Sequence, residues 1–522
     1  MAGLPHRTNA HFRYLANACI ILILVAIVVL PFDTTVSAAP SGSFVVDVMT
    51  DTGSSQDDNP GDGICHTASN NCTLRAAIME ANSHIGSDII TFTPDVIAVI
   101  VQTALPPLND TSGGTTIFGG IAKVDVLGTL PGAGTNGFVL VSNNNRLQGL
   151  DIAAFKGNGV VIQGASNIIG TDGDGVNDEN EGNIIRENSL NGILVDGTGN
   201  NNRISGNVIG LDQSGNTKPN LANGIEIAGA SNRVGVLGDG VSDSLEANTI
   251  HRNGQIGVYI HNNGNIVSGN SIRFNGDDGI YVYSASGILI GTNGNNNGDA
   301  EERNTISSNL GWGIFLNLAT ETTISGNRVG TSPDGTAANF NQSGGIYIFQ
   351  GSANLIGTDG SGAGAANEGN LVSGNLGDNI LLDHTTNNTI AGNIVGPNIG
   401  GTASITPNAR GIALLYSQGN TVGTDGNGTG DSLEGNLVSG NHGNGIHLYY
   451  EGTQANIVAG NIVGLTASGT AALPNQENGI MVGASTSGNR IGTDGNGVSD
   501  SLERNIISGN TLNGIIIERG NQ

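Results

Sequence analysis

The chain has 522 residues, of which 85 are glycine and only 12% are charged, and its formal net charge is −26 at pH 7. So negative a chain repels anionic surfaces, acidic polysaccharides in the absence of a divalent cation, and nucleic acid, which is therefore not expected as a partner. Because Leu, Ile and Val are plentiful, the low charge does not indicate disorder. The composition favours many short strands joined by tight turns.

Residues 1–38 are predicted to form a secretory signal peptide. A basic start that includes Arg7 and Arg13 precedes an apolar run at 18–30, which is too short to favour a membrane-spanning helix. Residues 36–38, VSA, then offer small side chains for cleavage. An uncleaved N-terminal anchor is the alternative. In either case the remaining chain is expected to be secreted or at the cell surface, with no stable membrane span after cleavage.

Residues 39–135 are predicted to form an N-terminal cap and the first strands. Cys65 and Cys72 lie seven residues apart, and in an oxidising compartment they can close one small disulfide. A metal site would need further Cys or His residues close by, and only His66 is near, so the disulfide is the favoured interpretation.

A short helix, LRAAIMEAN, is predicted to follow this segment. Thr73 is placed to cap its first turn. The helix is expected to cover the open end of the strands that come next, which would otherwise expose a sheet edge. Arg75 and Glu80 in this helix are therefore interpreted as structural rather than catalytic residues.

Residues 136–522 repeat a short pattern that predicts an all-β fold, a right-handed parallel β-helix. A Gly-Ile pair or its equivalent opens an alternating apolar strand twelve times, and the shortest coil, at 265–286, holds three strands in 22 residues. Stacked coils would bury Ile, Val and Leu, and Asn at the turns can ladder its amides between coils. About thirteen coils fit from residue 137 onward, a rod about 60 Å long. No C-terminal cap is evident, which predicts either a truncated chain or a cap supplied by a partner.

The segment DGICHTASNNCTLRAAIMEAN at 62–82, together with these coils, resembles secreted bacterial right-handed parallel β-helix repeat proteins of pectate-lyase-like architecture. Residues 72–77, CTLRAA, are similar to the CSLREA motif of that family, with Thr73 in place of Ser and Ala76 in place of Glu. The resemblance covers nearly all of the mature chain and implies the β-helix fold. It implies no single activity, because β-helices host lyases, hydrolases, epimerases and adhesins alike.

Two kinds of insertion lengthen most coils. Type A loops are twelve residues long and acidic, and they begin at residues 171, 236, 292, 358, 424 and 493. They recur every second coil, which predicts that they stack along one edge of the rod. Type B loops precede the Gly-Ile strand and occupy 211–222, 331–343, 397–409 and 465–477. The coil that contains NGDDGIYVYS, at 275–284, has neither kind of loop.

The first type A loop is a candidate calcium site. Hard cations prefer several oxygen ligands from a flexible, Asp-rich loop. The candidate ligands are Asp172, Asp174, Asp178 and Glu181. The spacing does not match an EF-hand, and a structural role is the alternative: the D-x-x-E sequences of other type A loops read as N-caps of one helical turn, at Asp243, Asp431 and Asp500.

Outward positions of the Gly-Ile strands are predicted to align aromatic side chains on four consecutive coils. They are Tyr259, Tyr281, Phe315 and Tyr347, with His261, Tyr283 and Phe349 two residues further along their strands. Because the type B loop beside Tyr281 is missing, we predict an open groove there, with Asp277, Asp278, His261 and Arg273 as its polar rim. Such a surface suits sugar rings. The alternatives are a stack that only stabilises the sheet and a contact surface for another protein.

Asp277, Asp278 and Arg273 are the candidate catalytic residues of this groove. A hydrolase needs two carboxyl groups at a set separation, and a lyase needs a base together with calcium. Adjacent aspartates in a tight turn often make only local hydrogen bonds, and the chain has no Arg-x-Lys of the polygalacturonase-like kind. The predicted function is a non-catalytic binding or structural role outside the cell, with a glycan as partner. The alternatives are a polysaccharide lyase or glycoside hydrolase acting near Tyr281, and an adhesin fragment.

Overall fold

The computed structural model describes residues 42–129 and 134–518, so the predicted signal peptide lies outside the described residues. Three long sheets, here named A, B and C, wind around one core, and neighbouring strands in all three are parallel. Each complete coil contributes one strand to sheet A, then to B, then to C, before it returns to A. This confirms the predicted all-β, right-handed parallel β-helix.

Sheets A and B have fifteen strands each and sheet C has thirteen, consistent with about thirteen coils from residue 137 onward. The strands of sheet A are Gly42–Val46, Asp88–Phe92, Thr115–Phe118, Arg146–Gln148, Ile168–Gly170, Arg203–Ser205, Arg233–Gly235, Ile266–Ser268, Leu289–Gly291, Thr323–Ser325, Leu355–Gly357, Thr389–Ala391, Thr421–Gly423, Ile457–Ala459 and Arg490–Ile491. Those of sheet B are Thr50–Asp51, Ala98–Val101, Val124–Gly128, Leu150–Ala153, Ile184–Arg186, Val208–Ile209, Thr249–His251, Ser271–Arg273, Thr305–Ser307, Arg328–Val329, Leu371–Val372, Ile394–Val395, Leu437–Val438, Ile462–Val463 and Ile506–Ile507. Those of sheet C are Phe138–Leu140, Val160–Ile162, Ile193–Val195, Ile225–Ile227, Val258–Ile260, Ile280–Tyr283, Trp312–Asn317, Gly344–Phe349, Ile380–Asp383, Ile412–Leu415, Ile446–Tyr449, Ile480–Val482 and Ile515–Ile517.

The core is a stack of aliphatic side chains on the inner face of each sheet. Alternation along a strand sends one side chain inward and the next outward. Ile280 and Val282 are fully buried, for example, while Tyr283 is 41% exposed. At the last described coil Ile515 and Ile517 are 47% and 74% exposed.

Buried asparagine side chains join each coil to the next, as the repeat predicts. Asn327 donates through its side-chain amide to the Ile290 carbonyl at 2.8 Å and to Asn370 Oδ1 at 3.0 Å, and its own Oδ1 accepts from Asn304 at 2.9 Å. The ladder that enters sheet B runs through Asn183, Asn207, Asn248, Asn270, Asn304, Asn327, Asn370, Asn393, Asn436, Asn461 and Asn505. Since these amides donate to backbone carbonyls, such as that of Ile290, and to one another, the turns can be buried without leaving these polar groups unpaired.

The predicted capping helix spans Leu74–Ser83 and lies over the first coil. Thr73 Oγ1 accepts from the backbone N–H of Ala76 at 3.0 Å, as an N-cap does. Arg75 forms an ion pair with buried Asp51 at 2.9 Å and donates to the carbonyl of Ala104 at 2.7 Å, so it ties the helix to the first coils. These contacts support the structural interpretation of Arg75.

The segment before the helix is held by two further links. Cys65 and Cys72 form the predicted disulfide, with 5.3 Å between their Cα atoms. The Glu80 carboxylate accepts from the backbone N–H groups of Gly61 and Gly63 at 2.6 and 2.5 Å. Glu80 is fully buried, in keeping with the structural role predicted for it.

Type A loops stack along the edge between sheets A and B. The Gly364 N–H donates to the Gly294 carbonyl at 3.0 Å, which links the loops that begin at 292 and 358. Three of these loops contain a single helical turn, at Asp178–Glu181, Asp243–Glu246 and Asp431–Glu434, and a fourth contains the 3₁₀ turn Ala365–Asn367.

The predicted N-caps in these loops are wrong by one residue. Asp243 and Asp431 open their helical turns, and the cap positions belong to Ser242 and Gly430, both in the left-handed region. Asp500 lies in a turn rather than a helix. Within the described residues, none of the helices is long and apolar enough to cross a membrane.

The asparagine ladder predicts a large and specific loss of stability. Asn327→Ala should lower the free energy of unfolding by about 3 kcal/mol, because it leaves buried donors and acceptors without partners. The measurement is urea denaturation at pH 7, followed by circular dichroism. The matched control is Asn297→Ala, an exposed asparagine in a type A loop, which should change stability by less than about 0.5 kcal/mol. Equal losses in the two variants would contradict a structural role for the ladder.

Candidate functional site

The predicted row of aromatic side chains is present on the outer face of sheet C. Tyr259, Tyr281, Phe315 and Tyr347 occupy the same register on four consecutive strands. Their ring centroids lie 5.3, 5.0 and 4.6 Å apart in that order. Tyr283 and Phe349 flank the row, 6.3 Å from Tyr281 and 6.1 Å from Tyr347. The structure therefore confirms the alignment that the repeat register predicts.

The row is longer than the sequence pattern indicated. Ring contacts continue from Phe349 through His384 and Tyr416 to Tyr449 and Tyr450, so that the whole set spans seven strands of sheet C. We name the whole set the aromatic strip; its members are Tyr259, His261, Tyr281, Tyr283, Trp312, Phe315, Tyr347, Phe349, His384, Tyr416, Tyr449 and Tyr450. His384, Tyr416 and Tyr450 were missed because they follow their strands rather than lie within them. The signal that could have found them is an aromatic ring directly after the fourth and last residue of three consecutive sheet C strands.

Most side chains of the aromatic strip already have ring or hydrogen-bond partners within the protein. The Tyr259–Tyr281 and Phe315–Tyr347 pairs are stacked at 21° and 16°, so their ring faces meet each other rather than solvent. Asn317 donates to the Tyr281 hydroxyl at 2.9 Å. Burial, and then the carboxylate of Asp383, raise the pKa of Tyr347. Cross-strand ring pairs of this kind stabilise a sheet. Sugar binding at the strip stays a prediction.

His261 lies at the first end of the strip and is held by two neighbours. Its ring stacks on Tyr259 with centroids 4.8 Å apart, and its Nε2 lies 3.3 Å from Glu226 Oε1. The nearby His261, together with the amide of Asn191, lowers the pKa of Glu226 against the opposing effect of burial. His261 and Glu226 are therefore paired with each other on this face.

Asp278 occupies a position that asparagine fills in other coils. Its Oδ1 accepts from the backbone N–H of Trp312 at 2.6 Å, as Asn191 Oδ1 accepts from the N–H of Asn223 at 3.0 Å. Asp278 is only 7% exposed, and burial raises its pKa to about 7. A carboxyl group that titrates near neutral pH can serve as a general acid, but this one is held in a backbone ladder.

Asp277 is exposed and lies close to Asp278. A Cβ on Gly311 would lie 2.7 Å from Asp277 Oδ1 and 2.2 Å from Asp278 Oδ1. The glycine at 311 therefore leaves the space that the two carboxylates occupy. Both aspartates lie at the start of a sheet C strand, where their charges also raise the pKa of Tyr281, although burial is the main cause.

The missing type B loop uncovers sheet B, which corrects the predicted groove beside Tyr281. Type B loops fold back onto sheet B: a Cβ on Gly335 would meet Leu371, and a Cβ on Gly401 would meet Leu437. These two leucines are outward residues of sheet B, yet they are 2% and 7% exposed. The coil that lacks the loop therefore leaves a sheet B strand open, not the aromatic strip on sheet C.

Four consecutive strands of sheet B lie in this open window. They run from Thr249–His251 to Arg328–Val329. The type B loop at 211–222 leans toward the preceding coil, where Lys218 pairs with Glu187 at 2.9 Å. The loop at 331–343 leans toward the following coil, as its contact with Leu371 shows. In the window the outward residues are Thr249, Ser271 and Thr305, where covered strands carry leucine.

Arg273 lies in this window and not on the rim of the aromatic strip. Its guanidinium carbon lies 5.1 Å from the centre of the Phe274 ring, and that of Arg252 lies 4.5 Å from the same ring. His251 Nε2 lies 2.8 Å from Ser271 Oγ. Burial, and then the charges of Arg273 and Arg252, lower the pKa of His251 to about 4, so its ring is neutral at pH 7.

Two more arginines follow on the next two coils. Arg303 lies just before the strand Thr305–Ser307, and Arg328 opens the strand after it. Burial, and then the charge of Arg303, lower the pKa of Arg328, while Asp334 opposes them. We name Arg252, Arg273, Arg303 and Arg328, with His251 and Phe274, the arginine patch.

The arginine patch has unused hydrogen-bonding capacity. The Nε atoms of Arg273, Arg303 and Arg328 are buried and have no hydrogen-bond partner in the described chain. Most other arginines of the described chain pair with an acid, as Arg186 does with Asp151 at 3.0 Å. The sequence pattern does not reveal this patch, because its residues are far apart in the sequence and occupy different positions along their strands.

The predicted calcium ligands come together in the first type A loop. One carboxylate oxygen each of Asp172, Asp174 and Asp178 lies within 4.8 Å of the others. Glu181 instead accepts from the backbone N–H of Asp172 at 3.1 Å. Arg146 also forms an ion pair with Asp172, so a cation would compete with a guanidinium there. Calcium at this loop stays a prediction.

No protein-family model and no curated protein matches this chain, so the CSLREA likeness stays a resemblance. Among solved structures, the chain is similar to the Dettilon tailspike protein, with 16% identity over 91% of this chain and 68% of that one and a TM-score of 0.41. It is also similar to the mannuronan C-5 epimerase AlgE4 A-module of Azotobacter vinelandii, with 12% identity, 86% and 92% coverage, and a TM-score of 0.33. For pectate lyase Pel9A the identity is 11%, the coverage 68% and 78%, and the TM-score 0.33.

The raised pKa of Asp278 predicts a pH-dependent gain of stability in Asp278→Asn. The wild-type carboxyl group must lose its proton in a buried position, whereas in the unfolded chain it ionises near pH 4. Its contribution to stability is therefore present at about pH 4 and is lost as the pH rises to about 7. The variant should be more stable than wild type at pH 8, by up to about 4 kcal/mol, and equally stable at pH 4.

Urea denaturation across this pH range measures the effect. The control is Asp95→Asn, which changes an exposed aspartate on a distant coil and should alter stability by less than about 0.5 kcal/mol across the range. An Asp278→Asn variant that is less stable than wild type at pH 8 but equally stable at pH 4 would contradict the prediction, because it would show that the fold needs the charged carboxylate.

Proposed function

We propose that this chain is an extracellular, non-catalytic β-helix protein that binds an acidic polysaccharide along the arginine patch of sheet B. The observation that carries the proposal is the presence of one arginine on each of four consecutive coils. None of these four guanidinium groups forms an ion pair within the described residues.

The chemistry of the patch suits carboxylate groups on sugars. A guanidinium group presents a planar fork of donors that matches a carboxylate, and such charge-assisted hydrogen bonds are about twice as strong as neutral ones. Phe274 is 39% exposed and offers an apolar surface between two of the arginines. Thr249, Ser271 and Thr305 add hydroxyl groups along the same face.

The spacing of the patch suits a polymer rather than a single small anion. Successive coils are separated by about 4.8 Å, so four arginines on four coils spread positive charge over about 15 Å of the rod. A polyuronate chain carries one carboxylate per sugar, and one sugar has a length similar to one coil. Such a chain can therefore meet several arginines at once, which raises its affinity through multiple contacts.

The net charge of −26 does not oppose binding at this surface under physiological salt. Charges further away than about 8 Å are largely screened at 0.15 M ionic strength. The acids of distant type A loops then add little to the electrostatic repulsion of a polysaccharide at the patch. The local charge of the patch determines whether the polysaccharide is attracted. Asp334, whose charge acts on Arg328, and Glu301 and Glu302, which directly precede Arg303, are acids near the patch. The repulsion expected from composition alone thus does not apply to this part of the surface.

The enzymatic alternatives have weaker support from the geometry. Asp278 has a pKa near 7, which favours a general acid, but it is 7% exposed and engaged with the Trp312 backbone. His251 is neutral and near two arginines, yet it is half-buried and bonded to Ser271. A non-catalytic binding role, as in an adhesin, requires neither group to reach a substrate.

Removing two arginines should abolish most of the binding. Arg252→Ala/Arg273→Ala should weaken retention on immobilised polygalacturonate at 0.15 M salt by at least about tenfold, because it removes two charge-assisted contacts. The dissociation constant is measured by affinity electrophoresis, with a neutral glucan as the reference polymer. Raising the salt concentration should weaken wild-type binding and have little effect on the residual binding of the variant.

Two control variants separate this site from others. Arg504→Ala removes an exposed arginine outside the patch and should bind like wild type. Tyr283→Ala tests the aromatic strip, and a larger loss of binding there than at the patch would place the glycan on sheet C. Release of reducing ends or unsaturated products by the wild-type chain would overturn the non-catalytic assignment.

A further inference from the structure

In the type A loop at 424–435, hydrogen bonds from backbone N–H groups hold acidic side chains close together. Glu434 accepts from the N–H of Asp425 at 3.2 Å, and Asp431 accepts from the N–H of Gly428 at 3.0 Å. One carboxylate oxygen each of Asp425, Asp431 and Glu434 then lies within 4.8 Å of the others.

Three type A loops each bring three acids together, and in two of these clusters an arginine pairs with one of the acids. Arg146, Arg203 and Arg490 form ion pairs with acids of the loops that begin at 171, 236 and 493. In the part of the chain that the structure describes, the three acids of the loop at 424–435 have no ion-pair partner. Thr389 occupies the register that Arg146 and Arg203 occupy in their coils, one strand before the strand that leads into the loop.

One carboxylate oxygen in this loop is buried without any donor. Asp431 is 6% exposed, and its Oδ1 has no hydrogen-bond partner. In the loop at 292, the Thr292 hydroxyl lies 3.0 Å from the equivalent oxygen of Asp299 and 3.0 Å from Glu302 Oε2, so this oxygen faces the inside of the acid cluster. In the loop at 424–435 the Thr424 hydroxyl forms a hydrogen bond with Glu434 instead. A buried carboxylate oxygen without a partner is unfavourable unless a cation supplies the missing charge.

Solvent and ions can reach this cluster. A cavity of about 540 Å³ lies between this loop and the preceding type A loop. It is lined by Asp425 and Glu434, by Asp359 of the preceding loop, and by the side chains of Asn427 and Thr429. The cavity therefore offers further carboxylate, amide and hydroxyl oxygens, together with room for water ligands.

We propose that the loop at 424–435 binds one calcium ion between Asp425, Asp431 and Glu434. The ion completes the charge balance that arginine provides in the two other three-acid clusters, at 171–182 and 493–504, and it gives the buried Asp431 oxygen its partner. This inference is independent of glycan binding at the arginine patch. It also differs from the calcium site that the sequence predicts in the loop at 171–182, where Arg146 already forms an ion pair with Asp172.

Calcium suits this site better than magnesium does. Calcium takes six to eight oxygen ligands in flexible geometry, whereas magnesium demands a near-ideal octahedron and gives up its waters reluctantly. The loop supplies three carboxylates that are held by hydrogen bonds from backbone N–H groups. The cavity beside them adds amide and hydroxyl oxygens and has room for water ligands. This irregular, oxygen-rich set favours the larger ion.

Isothermal titration of the chelator-treated full chain with calcium chloride tests the proposal. Wild type should bind calcium saturably, and its thermal unfolding temperature should rise with calcium but not with equal magnesium. Asp431→Asn should remove one calcium site from the titration, or weaken that site by at least about tenfold. Asp425→Asn, which changes an exposed ligand and therefore poses little risk to folding, should have the same effect.

Two further variants serve as internal references. Asp243→Asn alters the same DSLE turn in the loop at 236–247. Asp243 Oδ1 also lacks a hydrogen-bond partner, but Arg203 pairs with Glu246 there and, among the described residues, no three acids of that loop come together, so this variant should leave calcium binding unchanged. Thr389→Arg places a guanidinium at the register of Arg146 and Arg203, and it should displace the ion without unfolding the chain. The proposal is overturned if wild type binds no calcium, or if both Asp425→Asn and Thr389→Arg retain the full number of sites.

Discussion

The hydrogen bond from each buried asparagine to the next coil is the constraint on which this molecule depends. The amide of Asn327 reaches both the preceding coil and the following one, and the same link recurs along the whole rod. Because each link joins identical positions, it fixes the register of one coil on the next, with a repeat of about 4.8 Å. Parallel strands and aliphatic stacking then follow, since every inner position meets its counterpart.

A fixed register also puts every outward residue in a row with its neighbours. Rows of rings are favourable, and the aromatic strip shows this on sheet C. Rows of like charge are unfavourable unless something compensates them. Along the type A loops, arginines such as Arg203 provide this compensation, because they lie between one loop and the next.

At two places clustered charges of one sign are not compensated in this way, and both places are candidate ligand-binding sites. The arginine patch has positive charge without acids, where the absence of a type B loop leaves sheet B uncovered. The loop at 424–435 has acids without a cationic partner among the described residues, with a buried oxygen that lacks a donor. Because the chain has a net charge of −26, its composition gives no indication of the arginine patch. The internal repeat supplies the reference against which each departure is recognised.

The sequence by itself determined the fold, the disulfide, the capping helix and the register of the aromatic row. These features depend on periodicity and on neighbours close in the chain, which a repeat makes explicit. Only the tertiary structure decided that type B loops cover sheet B, that Asp278 sits in a backbone ladder, and that Arg252 and Arg328 share a face. The physical reason is that loop direction and the meeting of side chains from different coils depend on packing across the rod, which no local pattern specifies.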